Sequence, residues 1–193
     1  MYQNKIVFHA ELFVYPTIVG GSLVYDLDRS GFALHLRWWF AAVSGMMLWT
    51  LAEYLVHRFV YHKVPIVRDL HGMHHSRPRD LIGAPIWVSI VSFPSFFFLL
   101  ALLCDDVEIA SGTTSGLIVG YVLYLLIHNA VHRWQLDEKS WIHSHRLRHL
   151  RHHYHPVPGN FGVTTGIWDL VFGTAIAPER THTGRADFSG PRR

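Results

Sequence analysis

Histidine occurs 16 times in the 193 residues and cysteine once, at Cys104, so a metal site in this chain has to be built from imidazole and not from thiolate. Ten of the histidines fall in four clusters. His57 and His62 stand in HRFVYH, His71, His74 and His75 in HGMHH, His128 and His132 in HNAVH, and His149, His152 and His153 in HLRHH. Residues three or four apart share one face of a helix, so the second, third and fourth clusters can each aim their rings at a common point. His57 and His62 are five apart, roughly 140° around an ideal helix. Their convergence requires a helix end or a local distortion.

Ten imidazoles exceed the four ligands of a structural zinc, so two metal ions are the natural count. Imidazole suits iron, copper, zinc and nickel. The setting decides between them, because oxidation of an unactivated C–H bond at a lipid boundary needs O2 and a redox metal. The expected cofactor is two iron ions, with zinc as an ion that purified protein can carry in their place. His145 lies four before His149 and is a candidate eleventh ligand; its neighbours His143 and His155 are weaker ones, and His9, His35 and His182 read as ordinary surface or core residues. Glu53, Asp137 and Asp169 could orient imidazole N–H groups or serve as caps and surface carboxylates.

The elements that position these rings are apolar. Half of the chain is hydrophobic and 16% is charged, well short of the roughly one-quarter typical of soluble domains. Four stretches approach the length of a membrane span: about Ile6 to Tyr25, interrupted by Pro16 and Gly20-Gly21, then Trp38 to Val56, Ala84 to Leu103 with Pro94, and Thr113 to Val131. The second is expected to continue as helix through Glu53 and His57 toward Tyr61. Lys63, Arg68, Arg77 and Arg79 follow the second stretch and Arg133, Lys139, Arg146, Arg148 and Arg151 the fourth, whereas the loop between the third and fourth carries Asp105, Asp106 and Glu108. Positive loops face the cytoplasm. Both His-rich regions are therefore expected on that side. Trp38, Trp39, Trp87, Tyr121 and Trp134 are expected in the interfacial belt. Phe161 to Ala177 reads as a membrane-surface segment and the residues from Pro178 as a mobile tail. The basic residues flank apolar segments and form no Lys/Arg stripe, so nucleic acid is not an expected partner. No secretory signal stands out at the N-terminus. The expected fold is all-α and integral to the membrane, with about four transmembrane helices and a cytosolic helical cap carrying a His-rich dimetal site.

At these residues the chain resembles the fatty acid hydroxylase superfamily. LWTLAEYLVHRFVYH, HGMHH, GYVLYLLIHNAVH, HLRHHYH and NFGVTTGIWDLVFGT, within about Leu48 to Thr174, are similar to its fatty acid 2-hydroxylase branch. The resemblance implies one membrane-embedded hydroxylase domain over residues 1–193 and assigns the ligand role to His57, His62, His71, His74, His75, His128, His132, His149, His152 and His153. It implies insertion of oxygen from O2 into a fatty acyl chain. In two places the chain departs from that branch. The spacer KVPIVRDL between His62 and His71 is closer to the sterol and carotenoid members, and Leu125 follows Tyr124 where an acid is usual. With no cytochrome b5 domain ahead of the spans, a separate electron donor of cytochrome b5 or ferredoxin type is expected. The alternative with the same metal site is a carotenoid or sterol hydroxylase or desaturase. Rivals from other classes are a metal transporter, whose sites sit at mid-membrane depth, and a haem protein.

Overall fold

A computed structural model describes residues 5–29, 32–81 and 85–177; side chains are described from Leu36 in the second helix. His35 and His182, and the tail from Pro178, lie outside the described side chains. Seven α-helices and no strands make up the described residues: α1 Lys5–Arg29, α2 Phe32–Leu55, α3 Pro65–Ser76, α4 Ile86–Cys104, α5 Val107–Arg133, α6 Trp141–Tyr154 and α7 Ile167–Val171. α1, α2 with its continuation, α4 and α5 are each long and apolar enough to cross a bilayer. Together with the His-bearing cap, they make this an all-α integral membrane protein. α1 continues through Pro16 and Gly20-Gly21 without a break. Interruptions that are costly in an isolated helix are tolerated here because α1 packs on α5.

α5 is the central element. It packs on α1, α2 and α4 and carries most of the buried residues of the bundle. Its pairing with α2 brings the two backbones together: a Cβ added at Gly116 would overlap the Ala42 carbonyl, and one at Gly45 would overlap that of Thr113. Small residues allow this approach where lipid offers no hydrophobic drive for association. Gly116→Ala is expected to push α2 from α5 and to cost roughly 1–3 kcal/mol. A fall in the detergent-denaturation midpoint would register it, and an unchanged midpoint would count against the close crossing.

The bundle has two unlike ends. At one, Asp105 closes α4 in a left-handed conformation (φ 49°), and Asp106 caps α5 by accepting from the backbone N–H groups of Glu108 and Ile109 at 3.0 Å. Asp106 also meets Arg37 of α2 at 2.5 Å. Asp106→Ala should therefore cost about 1 kcal/mol, as N-cap removal does, measured as a small drop in thermal midpoint without loss of metal. At the other end α2 and α5 terminate beside α3 and α6, and all four histidine clusters gather there.

Two of the expected belt residues turn inward. Trp38 and Tyr121 are 2% and 3% exposed, whereas Trp39, Trp87 and Trp134 are exposed. Tyr121 lies twelve residues before the end of α5, within the bundle, where its hydroxyl finds a buried acceptor in Glu11. The 159–177 segment is not a span. It lies alongside the end of α2, with the Trp168 indole N–H donating to Thr50 Oγ1 at 2.9 Å and Leu170 and Val171 exposed.

Candidate metal centre

The convergence of His57 and His62 comes from a widened turn. Residues Val56–Tyr61 form a π-helical continuation of α2 whose C-cap is His62. Hydrogen bonds from i to i+5 add a residue to the turn, so side chains five apart return to nearly the same side. The two rings stack with centroids 5.2 Å apart.

The histidines sort into two groups, in each of which one nitrogen per ring lies within 4.8 Å of all the others. One group contains His74 of α3, His128 and His132 of α5, and His149 and His153 of α6; the other contains His57, His62, His71 of α3 and His152 of α6. Each HxxHH sequence thus supplies both groups instead of aiming its rings at one point. Residues i and i+3 are offset enough around a helix for α3 and α6 to run between the groups and give rings to either side. His75 belongs to neither group by that measure, yet it touches both: its Nε2 is 3.0 Å from that of His71, and its ring stacks on His153 at 4.2 Å.

The spacing within the groups fits shared ions. Two nitrogens each about 2.1 Å from one ion are about 3.0 Å apart at a right angle and about 3.4 Å apart at the tetrahedral angle. In the first group the Nε2 atoms of His74 and His128 are 3.0 Å apart, those of His132 and His149 2.8 Å, and those of His149 and His153 3.1 Å. In the second, His57 to His71 is 3.1 Å and His62 to His152 is 3.3 Å. Five imidazoles in one group exceed the tetrahedral complement of structural zinc. Burial pushes the cap histidines down from their usual range, His62 to about 4 and His152 to about 3, with His71, His74, His75, His149 and His153 also lowered. Neighbouring imidazoles add to the effect on six of the seven, all but His75, since two charged rings repel. The downward shift favours the neutral form of each ring, whose lone pair is available to a cation.

What aims the second group is a loop backbone that no pattern of side-chain types reveals. His57 Nδ1 is 2.6 Å from the Phe161 carbonyl oxygen and His152 Nδ1 is 2.9 Å from that of Gly159. A carbonyl only accepts, so Nδ1 donates and the lone pair stays on Nε2, facing the group. Two carboxylates hold the loop from its N–H side. Glu53 accepts from Val163 N at 2.5 Å, and from Thr164 through its N–H at 3.1 Å and its hydroxyl at 2.5 Å. Asp169, with no exposed surface, accepts from Phe161 N at 2.8 Å, Gly162 N at 2.9 Å and the Thr174 hydroxyl at 2.7 Å. Glu53 and Asp169 therefore act one layer further from the imidazoles than expected. Asp137 receives the Lys139 N–H in an exposed turn.

Asn160, at φ 53°, completes the loop. It donates to the Arg148 carbonyl at 3.2 Å and accepts from Ile176 N at 2.9 Å. Three rings of the first group lack such anchors: Nδ1 of His74, His149 and His153 is buried without a hydrogen-bond partner among the described residues. His145 lies in neither group; its Nδ1 is 3.0 Å from the Val163 carbonyl and 3.1 Å from the Arg148 guanidinium. His143 and His155 also lie outside both groups, as does His9, whose Nδ1 meets the Lys5 carbonyl at 2.6 Å.

A cavity of about 200 Å³ reaches the second group from the membrane side. Its walls are mostly aromatic and aliphatic, with Trp49, Phe93, Tyr121 and Tyr124 leading to His57 and Tyr61. The third and fourth spans contribute Val88, Phe93 and two tyrosines to this path, and α2 contributes the tryptophan.

The comparisons with known proteins agree with this arrangement. The family model described as fatty acid hydroxylase matches residues 42–174. Fatty acid 2-hydroxylase of Rattus norvegicus is 33% identical over 149 residues, 71% of this chain and 40% of the relative. A dihydroceramide fatty acyl 2-hydroxylase of Arabidopsis thaliana is 35% identical over 140 residues, 67% of this chain and 58% of the relative. The chain thus spans about two-fifths of the length of the rat relative. A solved structure of full-length Scs7p, in which only the hydroxylase domain is visible, superposes with a TM-score of 0.74 at 28% identity, over 90% of this chain and 68% of that one. With the match covering both histidine groups and the loop that aims them, the chain belongs to the fatty acid hydroxylase family.

Proposed function

We propose that this protein hydroxylates a membrane lipid at the 2-position of its fatty acyl chain, using O2 and two iron ions held by the ten clustered histidines. The observation that carries the reading is the cavity from the lipid-facing helices to His57, ending on one of two imidazole groups with metal-ligand spacing. The similar proteins named fatty acid 2-hydroxylase and dihydroceramide fatty acyl 2-hydroxylase support the acyl substrate and the position. Two irons held there would supply O2 activation and insertion of oxygen into a C–H bond.

The chain's own part is positional. His74, His128, His132, His149 and His153 would hold one ion, His57, His62, His71 and His152 the other, and His75 stands between them. Phe93, Tyr121 and Tyr124 would hold an acyl chain with its carboxyl-derived end at His57 and keep water from the reacting carbon. The cap faces the cytoplasm in this reading, because Arg68, Arg77, Arg79, Lys139, Arg146 and Arg151 lie at its end of the bundle. A separate one-electron donor of cytochrome b5 or ferredoxin type would deliver electrons from that side.

The test is expression in a host that makes no 2-hydroxylated lipids, under 18O2. The expected product is a 2-hydroxyacyl lipid carrying one labelled oxygen, absent from cells with the His153→Ala variant. An oxidised carotenoid or sterol, or a desaturated chain lacking new oxygen, would replace this assignment with the alternative reaction at the same centre.

A further inference from the structure

Ser89 and Phe93 of α4 are shared by two cavities. They line the 200 Å³ cavity that ends at His57 and also a larger one, of about 480 Å³, between α1, α4 and α5. The larger cavity has Ile18, Phe97 and Ile118 along its middle and Ser22, Ser111 and Ser115 toward the end of the bundle away from the histidines. Packed protein leaves few voids larger than a water molecule, so a space of this size between helices calls for an occupant.

The boundary and the far end of this space define its length. At the boundary Phe93 is edge-on to Tyr15 and Tyr121, with ring centroids 5.6 and 5.7 Å away, and the Tyr15 hydroxyl donates to Ser89 at 2.6 Å. Pro94 follows Phe93 inside α4 and has no N–H for the Ile90 carbonyl, so the helix is held less tightly at the ring that separates the two cavities. The far end is closed by hydrogen bonds between α1 and α5, Ser22 with Ser115 at 2.8 Å and Ser111 with Asp26 at 2.7 Å. Ser115 and Ser111 precede His128 along α5 by 13 and 17 residues, roughly 20 and 25 Å of helix. An extended chain of single bonds advances roughly 1.2 Å per bond. The run from the histidine groups to this floor therefore holds about 16 to 20 carbons, whereas Tyr121, about 10 Å before His128, is reached by about nine.

We propose that the 480 Å³ cavity receives the methyl end of the acyl chain, which enters from the first cavity as the Phe93 ring turns aside, and that its floor limits the accepted chain to about 20 carbons. This deepens the hydroxylase reading above and rests on it for the reaction at the other end of the chain. Continuity decides the occupant. With the carboxyl-derived end at His57, the rest of the chain points along the first cavity to Phe93, and the larger cavity begins on the other side of that ring. Lipid tails are as apolar as these side chains, so burial alone gives no preference. Fit does: dispersion contacts along Ile18, Phe97 and Ile118 hold a tail of matching length, and a longer one has to fold back against the floor. Tyr15, Ile18 and Ser22 come from α1, outside the residues 42–174 matched by the family model, so the limit can differ between chains that share the histidine framework.

The experiment maps the tail in the full chain, in lipid nanodiscs kept free of O2 so that nothing depends on turnover. The probes are decanoic and hexadecanoic acid, each with a diazirine at its terminal carbon, and the readout is the photolabelled residues found by mass spectrometry. In the wild type the short probe is expected to label the wall at Phe93 and Tyr121, and the long probe Ile18, Phe97 or Thr114 of the larger cavity. Thr114 lines that cavity, and Thr114→Phe, which fills its depth, should lower the long probe's label there about fivefold while the short probe's label stays in place. Phe93→Trp thickens the wall and should lower the long probe's label by a similar factor. Long-probe label confined to α2 or to bilayer lipid in the wild type, or label in the larger cavity that either substitution leaves unchanged, would overturn the proposal; insensitivity to Phe93→Trp would mean that tails enter sideways from the bilayer. Absence of a 2-hydroxylated product in the labelled-oxygen test would instead overturn the reaction and leave this labelling pattern standing.

Discussion

Replacing His149 by Ala is expected to remove one of two bound metal ions and bring hydroxylation below detection, whereas His57→Ala should remove the other ion with the same loss of activity. The two variants act on different groups because His149 belongs to the first and His57 to the second. His149 is 1% exposed, with Nε2 at 2.8 Å from His132 and 3.1 Å from His153, so its removal takes out the middle member of the first group. Loss of partners beyond the ligands typically costs about 10–100-fold in metal affinity or activity, and loss of a ligand itself should exceed that. Elemental analysis of protein loaded with iron without O2 would show two ions per chain in the wild type and one in each variant. Two ions retained in either variant would remove that histidine from the ligand set.

Glu53→Ala and Asp169→Ala should have the next largest effect, on folding and metal retention together. Asp169→Ala strands two buried backbone N–H groups and removes one partner of the Thr174 hydroxyl, Tyr54 remaining at 3.0 Å, and Glu53→Ala strands the Val163 and Thr164 N–H groups and the Thr164 hydroxyl. Each buried donor left without an acceptor costs roughly 1–3 kcal/mol, so two or three take a large share of a marginal stability of about 5–15 kcal/mol. The carbonyls of Gly159 and Phe161 belong to the same loop, and their shift would release the Nδ1 atoms of His152 and His57. The expected result is a large fall in thermal midpoint, with the second group losing its ion before the first. Preferential loss from the first group would contradict the idea that the loop aims His57 and His152.

Four spans and the gathering of the histidine clusters at one end were legible in the sequence because both follow from strong, local rules: span length in lipid and imidazole spacing on a helix. The five-residue separation of His57 and His62 even required a distortion, and the chain supplies one in the π-turn Val56–Tyr61. The division of each HxxHH cluster between the two groups was not legible, since spacing shows which rings share a helix face but not what lies on either side of it. Nor were the inward turns of Trp38 and Tyr121. A helix that is apolar on nearly every face gives no period from which to tell core from lipid, and only a partner such as Glu11, 110 residues away in the chain, decides the matter. The Gly159 and Phe161 carbonyls escape sequence reading altogether, because every residue carries a carbonyl and only the fold selects which ones face an imidazole.

Anomalous diffraction from crystals of the iron-loaded protein, collected on either side of the iron absorption edge, tests the dimetal assignment most directly. Two peaks are expected per chain, one among His74, His128, His132, His149 and His153 and one among His57, His62, His71 and His152, with His75 beside both. A single peak, or iron bound away from these rings, would contradict it.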